Sequence, residues 1–305
     1  MNFTAKDVAE LRAKTGCGMM DCKKALNDAN GNMDEAVEIL RKKGLAAQEK
    51  KASRVAAEGV AYAKVEGKVG VVIEVNAETD FVAKNDMFKA FVEACADVVI
   101  AQNPADVDAL LACTAADGET IDAKLKEAIL VIGENIKVRR FERVEGDCAA
   151  YVHAGGTIGV LVKFDADENA SGSEVIASCG KDVAMQVAAM NPTYLDEASV
   201  PADALEKEKE IQLAIMAADP KMANKPQAVL EKIVAGKLGK FYENNCLVDM
   251  AFVKDGSLTV KKYVDECAKS VNGTMKVSQF VRFEKGEGLE KRQDNFAEEI
   301  ANMVK

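Results

Sequence analysis

Nucleophilic and metal-binding chemistry has few residues to draw on in this chain. His153 is the only histidine, and the eight cysteines stand at 17, 22, 95, 113, 148, 179, 246 and 267. No two of them form a Cys-x-x-Cys pair, so zinc-finger spacing is absent. One histidine among scattered thiols is a poor basis for a Ser-His-Asp or Cys-His site. No Gly-x-x-x-x-Gly-Lys-Ser/Thr loop is present to cradle nucleotide phosphates. Fifty acidic side chains leave a purely carboxylate site open. We assign no catalytic residue, no metal ligand and no cofactor. The stretch whose residue types stand out is Thr79-Asp80-Phe81-Val82, where a large aromatic sits beside an acid in a mostly polar connector.

The elements around that stretch follow from periodicity. Val69, Val71, Ile73 and Val75 alternate as a strand, and a helical pattern begins near Asp86. The ordinary reading of Phe81 is a staple folded back on the following helix. The alternative is a side chain presented for docking, and the rest of the chain decides between them.

At 305 residues the chain has room for more than one domain. Its 49% apolar and 30% charged content suits a globular protein, and no apolar run reaches membrane-spanning length. The N-terminus has no apolar core segment and reads as neither a signal nor a transit peptide. Net charge is −10. Residues 1–54 hold 11 basic and 8 acidic side chains, which leaves −13 on the remainder. An acidic body argues against nucleic acid as the main partner. Freely scattered cysteines suit reduced thiols and a cytoplasmic setting, with Cys95 and Cys179 as small buried hydrophobes.

Residues 1–54 read as three short helices. Thr4-Ala5-Lys6-Asp7 opens the first and Thr15-Gly16-Cys17-Gly18 breaks it. The second begins at Met19-Met20 and ends at Asn30-Gly31. Asn32 caps a third, which runs through Val37 and Leu40 and is expected to stop at Gly44. Residues 45–57 suit a helical linker. So small a module buries little surface and is expected to dock on something.

From residue 58 the chain repeats itself. Val60-Ala61-Tyr62-Ala63-Lys64, a turn, and the strand through Val75 form a hairpin. Eighty-nine residues on, Tyr151 matches Tyr62, Gly159 matches Gly70, and Ile158, Val160, Val162 and Phe164 match the apolar set. A helix follows each hairpin and ends at Asn103-Pro104 or Asn191-Pro192. Each half closes with a further helix and a strand, containing Arg140-Phe141-Glu142 or Arg282-Phe283-Glu284. Each half is therefore expected to be β-β-α-α-β, a three-stranded antiparallel sheet faced by helices, and the fold class α+β. The second half is interrupted by two helical patterns at 196–245, a projecting hairpin. An amphipathic tail covers 293–305. The expected division is 1–54, 55–146, 147–195 with 246–288, 196–245 and 289–305. Carried through at the same offset, the repeat sets Asp80-Phe81 against Asn169-Ala170, so the second copy lacks the aromatic. One scaffold with two different loops favours function over packing for Phe81.

Several stretches together give a resemblance. They are Thr15-Gly16-Cys17-Gly18-Met19-Met20-Asp21-Cys22-Lys23-Lys24-Ala25-Leu26, Glu78-Thr79-Asp80-Phe81-Val82-Ala83-Lys84-Asn85-Asp86, Gly133-Glu134-Asn135-Ile136 and Gly286-Glu287-Gly288. On these, over essentially its whole length, the chain resembles the bacterial translation elongation factor Ts family. The resemblance implies a ubiquitin-associated-like N-terminal domain, a two-part core, a dimerisation-type helical hairpin at 196–245 and a C-terminal module. It implies a non-enzymatic guanine-nucleotide exchange factor whose partner is elongation factor Tu, with a homodimer through 196–245. The loop matching Thr79, Asp80, Phe81 and Val82 would enter the partner's GTPase domain beside its magnesium. Arg12, Met19 and Met20 would grip that domain from outside, and His153 would face the partner's third domain. A lone histidine beside a turn has the plainer reading of a surface residue. The competing function is a protein-binding adaptor or chaperone-like scaffold acting through residues 1–54.

Overall fold

The computed structural model describes residues 3–219 and 227–290. The expected tail helix at 293–305, and Pro220, Met222 and Pro226, lie outside those residues.

Three helices open the chain: α1 (Ala5–Thr15), α2 (Met19–Asp28) and α3 (Met33–Lys51). Thr4 and Asp7 form a reciprocal capping box on α1, and the Asn32 side chain accepts from the Asp34 and Glu35 amides to start α3. The expected stop at Gly44 is wrong. The helix runs on for seven residues, because Gly44 serves close packing and not termination. A Cβ there would sit 3.3 Å from the Lys126 carbonyl oxygen on a later helix. Lys51 Nζ donates to the Ile129 carbonyl at 3.1 Å, and Arg41 pairs with Glu119 at 2.8 Å. The N-terminal core, with Leu11 and Leu26 at its centre, takes in Leu130 and Val131 of that same helix. The docking surface of the module is thus the first half of the core.

That half contains β1 (Glu58–Glu66), β2 (Val69–Ala77), α4 (Asp86–Gln102), α5 (Val107–Ala112), α6 (Ile121–Ile132) and β3 (Ile136–Glu145). The second contains β4 (Asp147–His153), β5 (Ile158–Ala166), α7 (Glu174–Met190), the pair α8 (Ala202–Ala218) and α9 (Gln227–Asn245), a small β6 (Ala251–Phe252) and β7 (Asp255–Thr259) hairpin, α10 (Val260–Ser270) and β8 (Met275–Glu284). The sheets are β1-β2-β3 and β4-β5-β8, both antiparallel. A mixed α+β architecture is the outcome. Helix α5 and the β6–β7 hairpin were not anticipated by periodicity; both are too short to show any.

Val71, Ile73 and Val75 face α4 and α6, and Val160, Val162 and Phe164 face α7 and α10, as alternation requires. Val69, counted in the same set, sits only half-buried beside the hairpin turn. Helices cover only one face of each sheet, and the other is not left to solvent. It is buried, because the two sheets stack on each other. Ala61, Ala63, Val72, Val144, Cys148, Leu161 and Phe283 form the layer between them. Gly70 and Gly159, paired by the repeat, permit the approach. A Cβ on Gly70 would lie 2.4 Å from Leu161 Cδ1, and one on Gly159 would lie 3.1 Å from the Ala61 backbone. Lys68, in the first half's hairpin turn, donates to Ser171 in the second half's loop at 2.7 Å. The second half's turn is also bonded across the halves, with the Ala61 amide donating to the Gly156 carbonyl at 2.8 Å.

One buried acid joins the halves. Glu74 of β2 is fully enclosed. It accepts from Arg139 Nη1 at 2.9 Å, Arg140 Nε at 2.7 Å, Asn76 Nδ2 at 3.0 Å and the Gly286 amide at 2.8 Å. Gly286 follows β8, so the carboxylate ties the end of the second sheet to the middle of the first. Arg140 also stacks 4.2 Å over the Phe283 ring.

Gly180, in the middle of α7, gives a direct test of how tightly the second half is packed. Alanine is the better helix former by about 1 kcal/mol. Its Cβ, however, would meet Ala149 Cβ at 2.3 Å and Phe164 Cε2 at 3.0 Å, and neither atom is the free end of a flexible chain. Overpacking costs about 1–3 kcal/mol. Gly180→Ala is therefore expected to lower the unfolding free energy by up to about 2 kcal/mol, the overpacking cost exceeding the propensity gain. Denaturant titration reads this, and an equal or higher midpoint would show that α7 has slack.

Candidate functional site

The loop between β2 and α4 is held at both ends. At its far end, Asn85 Oδ1 accepts from the Met87 and Phe88 amides and starts α4. Before it, Val82–Lys84 make one 3-10 turn, with the Lys84 amide bonded to the Phe81 carbonyl at 3.1 Å. At its near end, Glu78 Oε1 accepts from the Asn135 amide at 2.6 Å and from Arg54 at 3.3 Å. Thr79 is gripped twice by Glu134. Its amide donates to Oε2 at 2.9 Å and its hydroxyl to Oε1 at 2.7 Å. Glu134 and Asn135 follow Gly133, which ends α6 in the left-handed region at φ +87°.

Between these anchors the chain presents two side chains outward. Asp80 is exposed and has no ion-pair partner among the described residues. Phe81 is 77% exposed. The staple reading fails, since Val82 is the residue that turns into the first core, at 4% exposure.

The second half supplies an internal control, with one correction. Seven residues, 78–84, separate Ala77 from the helix cap Asn85, but only six, 167–172, separate Ala166 from the cap Ser173. The offset falls from 89 at the strands to 88 at the helices. Phe81 therefore stands opposite Asn169 and Val82 opposite Ala170. The burial agrees, since Ala170 is enclosed in the second core while Asn169 is exposed. The aromatic is absent from the second copy under either alignment.

The anchors compare in the same way. Asp167, opposite Glu78, accepts from the Thr274 amide at 2.7 Å, and Thr274 precedes β8 as Asn135 precedes β3. Asn272, at φ +53°, stands where Gly133 stands. Glu134 alone has no counterpart, because that position is Gly273, where a Cβ would lie 2.8 Å from Asp167 Oδ1. The Thr79–Glu134 pair belongs to the first half only. Sequence reasoning missed it. Its signal was an acid directly after a helix-ending glycine in one copy and a glycine there in the other, visible only once the turns before the closing strands are aligned.

The remaining candidates lie in two places. Arg12 is in the last turn of α1, and Met19 and Met20 are in the first turn of α2, joined by Gly16-Cys17-Gly18. All three are exposed, Met20 by 74%. His153 ends β4, is exposed, and has Nδ1 3.0 Å from the Tyr151 hydroxyl. Its turn packs on the start of β1 through Gly156 and Val60, and the start of β1 pairs with the end of β2. The structure thus brings His153 and the Thr79–Val82 loop to one end of the core. The methionines are reached separately, across α6.

The cysteines contribute packing. All eight are free thiols, and six are buried. Burial pushes the Cys95 thiol up to about 12 and Cys148 up to about 11, far from a reactive thiolate. Among the described residues no cluster of His, Cys, Asp and Glu could hold a metal ion, and no helix is long and apolar enough to cross a membrane.

Comparison with known proteins gives one answer. The family described as Elongation factor TS matches residues 78–287, from the first residue of the anchored loop to the turn that meets Glu74. Elongation factor Ts of Syntrophotalea carbinolica is 47% identical over 309 residues, covering 100% of both chains. That of Clostridium perfringens is 47% identical over 306 residues, covering 99% of each, and that of a Nitratiruptor species is 47% identical over 314 residues, covering 100% of each. Identity of that extent, together with a family match over most of the chain, makes this protein a member of the elongation factor Ts family.

Proposed function

We propose that this chain is the guanine-nucleotide exchange factor of elongation factor Tu, acting through the Asp80-Phe81 tip. One observation carries the reading. In a chain of this family, an aromatic is held outward on a loop anchored at both ends, and the duplicated scaffold lacks it. Exposed phenylalanine on a fixed platform is a docking element.

The side chains make the activity intelligible without covalent chemistry. Magnesium in a GTPase site bridges nucleotide phosphates and protein while keeping several waters. Asp80, a carboxylate with no ion-pair partner among the described residues, would compete for those waters. Phe81 needs an apolar slot, and its burial is worth about 1.5–3 kcal/mol. A slot that opens only in the nucleotide-free shape converts that burial into weaker nucleotide binding. The coupling is reciprocal, so bound nucleotide weakens the factor's grip by the same factor.

Arg12, Met19 and Met20 hold the GTPase domain from outside, methionine being suited to adaptable contacts. His153, at the loop's end of the core, faces a second partner domain. The test is release of labelled GDP from elongation factor Tu at substoichiometric chain. Acceleration with turnover supports exchange. Stoichiometric binding without acceleration points to the adaptor reading instead, and no acceleration removes the proposal.

A further inference from the structure

We infer that Glu134 is a positioning residue for exchange, acting through Thr79 to hold Asp80 and Phe81 in their working conformation. The inference rests on the exchange reading and adds to it the residue that sets the loop.

Three observations carry it. First, the geometry is bidentate. One carboxylate takes both the amide and the hydroxyl of Thr79, at 2.9 and 2.7 Å, so the residue before Asp80 is fixed in position and rotation. Second, the strand-to-helix connection does not need this bond. The second half makes the same connection with Asp167 on Thr274, the equivalent of Glu78 on Asn135, and with Gly273 where Glu134 stands. The carboxylate occurs only in the copy that carries the exposed aromatic. Third, among the described residues no side-chain bond from outside the loop reaches Asp80 or Phe81. Phe81 is exposed and Asp80 has no ion-pair partner among the described residues, so the order of the tip comes from its own backbone anchors. Val82 anchors the far side by burial, and among the described residues Thr79 is the only anchor on the near side within one residue of Asp80.

Fixing a loop in advance removes an ordering cost from the step in which the loop inserts. The N-terminal contacts and the His153 turn do not depend on Glu134, so the encounter with the partner keeps its strength. The cost of losing the carboxylate therefore falls on the maximal release rate and not on the half-saturating concentration.

The experiment is stimulated GDP release from elongation factor Tu, titrated with the full chain and its variants. Glu134→Ala should lower the maximal rate about tenfold and leave the half-saturating concentration within about threefold. Thr79→Val, which loses the hydroxyl, should fall between the parent and Glu134→Ala, and Thr79→Ser, which keeps both bonds, should recover most of what Thr79→Val loses. Amide hydrogen exchange at 79–81 should quicken in Glu134→Ala with the β2 and α4 amides unchanged. A partly unfolded variant would behave differently, since fewer active molecules raise the apparent half-saturating concentration and leave the maximal rate alone. The cycle with Phe81→Ala separates the two proposals. If Phe81→Ala slows exchange and Glu134→Ala adds nothing to it, Glu134 works through the tip. Full effects of both in combination, or an unaltered maximal rate in Glu134→Ala, would overturn the inference while leaving the exchange reading standing. An unaltered rate in Phe81→Ala would remove the loop reading itself.

Discussion

Replacing Phe81 with alanine is expected to slow stimulated GDP release by one to two orders of magnitude without moving the unfolding midpoint. The two halves of that statement have separate causes. Phe81 touches little of its own protein, being 77% exposed, and a surface substitution of this kind changes stability by no more than about 0.5 kcal/mol. Its burial in a partner is worth about 1.5–3 kcal/mol, and each 1.4 kcal/mol is a factor of ten in rate. Phe81→Leu keeps much of the apolar area and loses the flat ring, so it should fall between. Stopped-flow release of a fluorescent GDP analogue measures all three. A variant as fast as the parent at saturation would mean that the aromatic is not the wedge. Reciprocity offers a second reading of the same substitution. If the ring couples to nucleotide, GDP should weaken the variant's binding to elongation factor Tu less than it weakens the parent's.

Removing the Glu74 side chain should be costly to the fold although the residue is polar. Glu74→Ala leaves the Arg139 and Arg140 guanidiniums partly buried, at 23% and 33% exposure, and strands the Gly286 amide. Removing one member of a buried ion pair costs about 3–5 kcal/mol, and the residual solvent around the arginines favours the lower end. At roughly 1.5–2 °C per kcal/mol for a chain of this size, the midpoint should drop by about 5 °C. Glu74→Gln keeps an acceptor for Gly286 and should lose about half as much. The pH dependence has a definite sign. Burial alone would raise this carboxyl, but the bonds from Asn76, the Gly286 amide, Arg139 and Arg140 together outweigh burial and hold it below its ordinary value of 4.5. A depressed carboxylate contributes fully above pH 4.5 and loses that contribution as pH falls through its lowered folded value. The gap in midpoint between parent and Glu74→Ala should therefore be constant near neutrality and close in acid. Equal midpoints at pH 7 would show that the sheets hold together without the carboxylate.

Much of this architecture could be read before any coordinates. The hairpins, the helix stripes, the Asn-Pro stops and the duplication all rest on period and spacing, which are local properties of a sequence. Three features resisted for physical reasons. Gly44 looks like a helix end because glycine is a poor helix former, yet the same missing Cβ lets α3 approach the Lys126 backbone. What the face of Gly70 and Val72 packs against was not legible, because alternation shows which residues share a face, not what the face meets. Only the pairing of Gly70 with Gly159 hinted that a second sheet lay there. Glu74 carried its own signal, an acid inside a strand of valines, with Lys163 at the matching position of the second half. Its partners Arg139 and Arg140 lie on another strand, and Gly286 is more than two hundred residues away, so no window along the chain could join them.

The loop was legible in kind and not in detail. Its aromatic and acid stood out by composition, and the repeat made them a difference between two copies. The one-residue deletion in the second loop was invisible while strands alone were aligned. So was Glu134, whose meaning depends on a turn 55 residues from Thr79.

The uninterrupted course of α3 has a consequence for how the molecule meets its partner. Because the helix continues past Gly44 to Lys51, and Lys51 is bonded to α6, no slack spacer lies between the methionine pair and the Phe81 tip. Under the proposed function, the two contact points then form the jaws of a caliper with a set opening. A jointed factor would follow its partner through every shape that the partner adopts. A caliper closes on both surfaces only when their separation matches its own, and simultaneous engagement is lost when the geometry forbids it. The factor would thereby recognise a state of its partner as a length.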